Sequence, residues 1–122
     1  KIKCRETDLI SFIDDIYEIF SYQAIKRNIN FTFNHTSEKL FVWIDVKNFD
    51  KIIINLLSNA FKYTPDGGEI EIVLTAKEEL KTNSPLKKYA EICVRDTGKG
   101  LDKKEMEKVF ERFLSIAFRS KS

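Results

Sequence analysis

The apolar pattern of this chain changes period across one short stretch, and that change narrows the folds open to it. From Val46 to Tyr63, Ile52, Ile53, Leu56, Leu57 and Ala60 recur at helical spacing. Thr64-Pro65-Asp66-Gly67-Gly68 then breaks the helix, because proline cannot continue it and glycine favours the turn. EIEIVLTA follows at once with strict alternation, Ile70, Ile72 and Leu74 sharing one face. A helix fed directly into a half-buried strand calls for a helix layer packed on a sheet.

The remaining chain repeats that grammar. Thr7-Asp8 opens a helical pattern of Leu9, Phe12, Ile13, Ile16, Ile19 and Phe20, predicting a helix from about Asp8 to Arg27 with Asn28 near its end. NINFTFNH alternates as a strand, FVWID is a second short strand, and Asp45 caps the helix from Val46 to Tyr63. KEELKTNSPLKK reads as a polar hairpin loop before the alternating strand YAEICVRD. DTGKGL is a glycine-bearing loop, and Asp102 with Glu105 predicts a third helix over LDKKEMEKVFERF. The tail LSIAFRSKS carries no strong pattern. The order predicts one α+β domain over residues 1–122, a two-layer α/β sandwich with a mainly antiparallel sheet and helices on one face.

Composition excludes several classes. A hydrophobic fraction of 43% and a charged fraction of 33% describe a soluble globular chain, and a net charge of +2 argues for no nucleic-acid partner. The mild lysine cluster from Lys77 to Lys88 reads as a solvated loop. No apolar run approaches the ~20 residues of a membrane helix. Cys4 and Cys93 form no spaced pattern and read as thiols in a reducing compartment. A single histidine, His35, excludes a histidine-rich metal site, and its strand-like setting gives it a packing role with no catalytic one. The abrupt ends KIKC and RSKS read as boundaries within a longer protein.

Two sets of polar residues need explaining. In NLLSNAFKYTPDGG, Asn55 and Asn59 lie one helical turn apart and Lys62 follows on the same side. Amide oxygens and an ammonium suit a Mg²⁺–phosphate ligand. Equally, both amides could satisfy backbone groups of the following loop. In YAEICVRD, Asp96 shares the parity of Ile92 and Val94, so a carboxylate sits on the apolar face at the strand's end. It either caps the next loop or accepts a hydrogen bond from a ligand's amino group. Gly98 and Gly100 let the adjacent backbone bend and approach closely.

NLLSNAFKYTPDGG followed by VRDTGKGL resembles the N box and first glycine box of sensor histidine kinase ATP-binding domains. That domain has the Bergerat fold, shared with DNA gyrase, mismatch-repair and heat-shock ATPases. VFERF, Val109 to Phe113, resembles the F box, and ETDLISFIDDI resembles the family's first helix after the dimerisation helices. The resemblance spans essentially the whole chain. It implies that Asn59 holds magnesium against the triphosphate of ATP, that Asn55 supports metal and phosphates, and that Lys62 contacts phosphate. Tyr63 would lie against the adenine, Asp96 would accept from its amino group, and Gly98, Gly100 and Leu101 would shape the loop beside the nucleotide. Phe110 and Phe113 would anchor a mobile lid, or simply pack the core face of the third helix.

Hydrolysing relatives in the superfamily place a glutamate where this chain has Asn55. A neutral amide cannot take a proton from water as a carboxylate does. The resemblance therefore implies a kinase that donates the γ-phosphoryl to a histidine on a separate dimerisation domain, with a response regulator downstream. It further implies the cytoplasmic part of a membrane-bound bacterial sensor. A degenerate ATP-binding or interaction module, and a gyrase-like or mismatch-repair ATPase, are the competing readings. Relative to the family pattern the chain stops before the second glycine box and the last helix and strands. Weak ATP binding, no autophosphorylation in isolation, and a homo-oligomer through an unpaired sheet edge are the expectations that follow.

Overall fold

The computed structural model describes residues 5–35, 40–79, 87–97 and 110–118. The described elements are β1 (Arg5–Asp8), α1 (Leu9–Lys26), β2 (Asn30–His35), β3 (Phe41–Ile44), α2 (Val46–Tyr63), β4 (Glu69–Glu79), β5 (Lys87–Asp96) and β6 (Phe110–Phe118).

Both predicted helices form where their caps and apolar stripes place them. Asp8 caps α1 by accepting from the Ser11 amide, and Asp45 caps α2 by accepting from the Asn48 amide. α1 ends with Asn28 in the left-handed region, at φ 56°. The Ile29 amide donates to the Ala24 carbonyl and the Asn28 amide to the Ile25 carbonyl. These are the two hydrogen bonds of a Schellman motif, and asparagine is the residue other than glycine that best tolerates its left-handed position.

The main sheet has the order β2-β4-β5-β6, and β1 pairs with β3 in a separate two-stranded ribbon. β2 and β4 run parallel, with Phe31 opposite Ile70, because α2 lies on the connection between them. β4 and β5 form the expected antiparallel hairpin, with Ile70 opposite Asp96 and Ile72 opposite Val94. The sheet is thus mixed and mainly antiparallel, as expected. The helices bury Leu9, Ile13, Ile53, Leu57 and Phe61 against Ile70, Ile72, Leu74, Ile92 and Val94. Tyr17, Phe20, Phe31 and Phe61 clasp the layers together: Phe20 stacks on Phe61 at 5.3 Å, and Phe31 meets Phe61 edge-on at 5.1 Å. The Tyr17 hydroxyl donates to the Phe31 carbonyl, so its polar tip is satisfied inside the layer.

Three expectations are corrected. RETD, expected to lead into the helix, forms β1, because Arg5 to Asp8 find a ladder partner in Ile44 to Phe41. The hairpin loop is shorter than KEELKTNSPLKK, since β4 continues to Glu79 and β5 begins at Lys87. Phe110 to Phe113, expected at the end of a third helix, belong to β6, which also takes in LSIAF. The rest of that helix, residues 101–109, lies outside the described residues. β6 pairs antiparallel with β5 from Phe110 opposite Asp96 to Phe118 opposite Lys88. Its backbone satisfies the donors and acceptors that β5 would otherwise leave open. β6, and not β5, is therefore the edge strand on that side of the described sheet.

Candidate functional site

α2 has two faces of opposite chemistry. Phe49, Ile53, Leu57, Ala60 and Phe61 are buried, while Asn55, Asn59 and Lys62 are exposed. The structure brings Asn55 and Asn59 one turn apart on the solvent side of the helix, where their amides do not cap its core face. Tyr63 ends the helix half-exposed, with the Lys62 ammonium 5.4 Å from the centre of its ring.

The helix is held at both ends. At its start the Asn48 amide group adds a second bond to the Asp45 carboxylate, at 3.0 Å. At its end Arg27, from the close of α1, donates to the Phe61 and Thr64 carbonyls. The same guanidinium pairs with Asp66 at 2.7 Å, and the Gly67 amide donates to the Arg27 carbonyl. Three carbonyls and carboxylates around one cation close the helix terminus, where a positive charge also complements the helix dipole.

Asp96 is 3% exposed at the end of β5, on the sheet face that α2 covers. It lies beside Val94 in parity and opposite Ile70. The described residues include one other buried polar side chain, Thr64, 1% exposed. Among the described residues its Oγ1 has no hydrogen-bond partner. Leaving such a hydroxyl buried and unpaired costs about 1–3 kcal/mol.

Thr64 and Thr97 meet around Gly68. A Cβ on Gly68 would fall 2.5 Å from Thr64 Cγ2, 2.9 Å from the Pro65 carbonyl oxygen and 2.9 Å from Thr97 Oγ1. Thr97 in turn accepts from the Glu69 amide through Oγ1, at 3.2 Å, and donates its own amide to the Glu69 carbonyl. The turn after α2 and the end of β5 are thus laced together through a glycine that admits no side chain. Gly98, Gly100 and Leu101 lie outside the described residues. The parts played by Arg27, Thr64, Gly68 and Thr97 escape sequence reasoning. TPDGG reads as generic turn chemistry, and Arg27 reads only as a helix-end cation. An arginine three residues before the strand NFTFNH signals a long-range clamp only once the fold is known.

A groove of about 310 Å³ at the end of the sheet is lined by Asn30, Thr32, Glu69, Ile70, Glu71, Arg95, Asp96 and Thr97. Arg95 pairs there with Glu71 at 3.4 Å, and Asn34 donates to the same carboxylate. Its lining includes neither Asn55 nor Asn59. His35 is exposed at the end of β2 with its ring 5.1 Å from that of Phe33, which fits the packing role expected of it.

Among the described residues no group of three or more His, Cys, Asp or Glu side chains could hold a metal ion. The donors offered by α2 are neutral amides, which share a Mg²⁺ with phosphate oxygens and waters. The residues present therefore fit a metal that arrives with a phosphorylated ligand. Among the described residues no helix is long and apolar enough to cross a membrane.

This arrangement, a polar solvent face on the C-terminal half of α2 beside a sheet strand that ends on a buried aspartate, is that of a nucleotide-binding α/β sandwich. Residues 44–122 match the family described as histidine kinase-, DNA gyrase B- and HSP90-like ATPases, and the chain belongs to it. Its relatives within the family include sensor histidine kinases. The chain is 33% identical to the sensor histidine kinase WalK of Bacillus subtilis over 107 residues, 88% of this chain and 16% of WalK. It is 32% identical to the sensor histidine kinase RppB of Synechocystis over 113 residues, 93% of this chain and 22% of RppB. The catalytic domain of the histidine kinase ThkA superposes with a TM-score of 0.68 at 25% identity, covering 84% of this chain and 65% of that one. The chain thus spans less than a quarter of the length of these curated relatives. Family and fold together identify an ATP-binding domain of the histidine kinase type.

Proposed function

We propose that this domain holds Mg-ATP over α2 and the end of β5. Within its parent protein it would donate the γ-phosphoryl to a histidine on a separate dimerisation domain. In this reading Asp96 accepts from the adenine amino group and Tyr63 lies against the base. Lys62 places a positive charge on the phosphates. Asn59 and Asn55 hold the magnesium, which when bound offsets the charge of the phosphates. Gly98, Gly100 and Leu101 would shape the adjoining loop.

The observation that carries the reading is Asn55. It stands exposed on α2 one turn before Asn59, at the place a hydrolase of this superfamily would use for a carboxylate base. An amide positions phosphates without drawing a proton from water. Transfer of a phosphoryl group rests mainly on such positioning and on charge stabilisation. The kinase names of the relatives support the same side of the division. A response regulator as the onward acceptor is supported by ThkA, which was solved in complex with the response regulator protein TrrA. A cytoplasmic site of action fits an ATP-consuming sensor.

The test is label transfer from γ-labelled ATP in the complete kinase that carries this domain. Acid-labile label on the protein is expected, and Asn59→Ala or Asp96→Asn should lower it by about 100-fold or more, the scale for removing a group that positions transferring charge. Label released only as inorganic phosphate would overturn the kinase reading.

A further inference from the structure

α1 carries an apolar stripe that the core does not use. Leu9, Ile13, Ile16 and Ala24 are buried, whereas Ile19, Tyr22 and Ile25 stand 70%, 66% and 79% exposed. Single exposed apolar side chains are ordinary, but three within two turns on one helix face form a contiguous patch, and such patches mark contact surfaces. The stripe has charged ends. Asp15, Ile19, Tyr22 and Lys26 follow one another at intervals of four, three and four residues, the spacing of a seam between two helices. All four are exposed, and the Lys26 ammonium lies 4.5 Å from the centre of the Tyr22 ring, on the same face. The face is thus acidic toward its start, at Asp15 and Glu18, apolar in its middle and basic at its end.

We infer that this face of α1 docks on the same face of a second copy of the chain, the two helices antiparallel about a two-fold axis. A parallel pair would set Asp15 beside Asp15 and Lys26 beside Lys26. The antiparallel pair sets each Asp15 opposite the other copy's Lys26. The same axis sets each Ile19 opposite the other copy's Tyr22, because both pairs are centred between Phe20 and Ser21. One register therefore satisfies the charged and the apolar positions together, as a self-complementary two-fold contact requires. Ile25 borders the seam, and the opposed helix dipoles add to the fit. A single helix pair buries less than the ~1,200–2,000 Å² of a stable interface. The dimer is accordingly weak, populated at about 0.1 mM chain and dispersed at about 1 µM. The contact uses none of the residues assigned to the nucleotide.

The experiment is sedimentation of the full chain from about 1 µM to about 0.5 mM, with the circular dichroism of every variant read alongside. The parent should move from monomer toward dimer mass across that range. Asp15→Lys and Lys26→Asp each set like charges against one another at both ends of the seam. Each should weaken association by about tenfold or more while keeping the parent's helical signal, since both positions are exposed. Mixed in equal amounts, the two variants should recover the parent's association, because each meets the opposite charge in the other at both ends. A parent that stays at monomer mass throughout would overturn the inference. So would single variants that associate as the parent does, the outcome expected of pairing through the sheet edge, or a mixture of folded variants that fails to recover.

Discussion

Asn55 decides more about this domain than any other single side chain. It is exposed, its neighbour Asn59 lies one turn on, and neither amide is buried on the helix's core face. No packing term therefore resists a change at this position, and helix propensity differs little between asparagine and glutamate. Asn55→Glu should fold as the parent does and retain ATP affinity within a few-fold. It should also raise the steady release of inorganic phosphate, because a carboxylate now stands where water could be activated. A phosphate-release assay on a variant shown to bind ATP checks this, and unchanged hydrolysis would count against the role given to position 55. The neighbouring glycine makes the opposite kind of statement. Gly68→Ala places a methyl 2.9 Å from a backbone oxygen and 2.5 Å from Thr64 Cγ2. Backbone cannot yield as a side-chain tip can, so the expected cost is about 1–3 kcal/mol, read by urea denaturation.

Among the elements, the two helices were legible in advance because their signals are local. Asp8 and Asp45 cap them, Asn28 and Thr64-Pro65 end them, and the apolar stripe between is unbroken. β4 and β5 were legible from alternation over their middle residues. β1 was not, because RETD has no alternation of its own and becomes a strand only through Phe41 to Ile44, far along the chain. β6 was not, because Phe110, Phe113 and Leu114 fit helical spacing as well as they fit a strand. What selects the strand is the open side of β5, a tertiary fact that no window of sequence contains. The candidate site divides in the same way. Asn55, Asn59 and Asp96 announce themselves as polar residues on apolar patterns, whereas Thr64 and Thr97 look like any turn threonine until the corner is assembled. Arg27 is the clearest tertiary element of all. It joins the end of α1 to the end of α2 through Phe61, Thr64 and Asp66. Arg27→Ala strands two helix-end carbonyls, so a loss of about 1–3 kcal/mol is expected. Because the clamp also orients Tyr63 and Thr64, ATP affinity should fall with it. Arg27→Lys should recover little, since an ammonium cannot span the two carbonyls and the carboxylate as the planar fork does.

At the scale of the whole molecule, β6 lies outside β5 as the edge strand of the described sheet. β6 runs along β5 for nine residue pairs, so the backbone of β5 is bonded on both sides. That arrangement changes the expectation for assembly. With β5 exposed, a ten-residue strand buried on its helix face would offer a ready template to a second copy. With β6 in place, that template is occupied, and pairing with another chain must compete with an intramolecular ladder whose effective concentration favours it. Breaking the ladder should therefore shift the balance toward association. Leu114→Pro removes a backbone donor at the position opposite Ile92, in the middle of the β5–β6 register. The variant should lose amide protection along residues 90–96 in hydrogen exchange, and should sediment with a concentration-dependent rise in mass beyond that of the parent chain. α1 and α2 contribute their caps and packing independently of β6, so the helical signal in circular dichroism should be retained. A variant that keeps full protection in β5 and the parent's sedimentation profile would show that β6 does not hold this edge. A parent chain that already dimerises to the same extent would show that the covered edge is not what governs assembly.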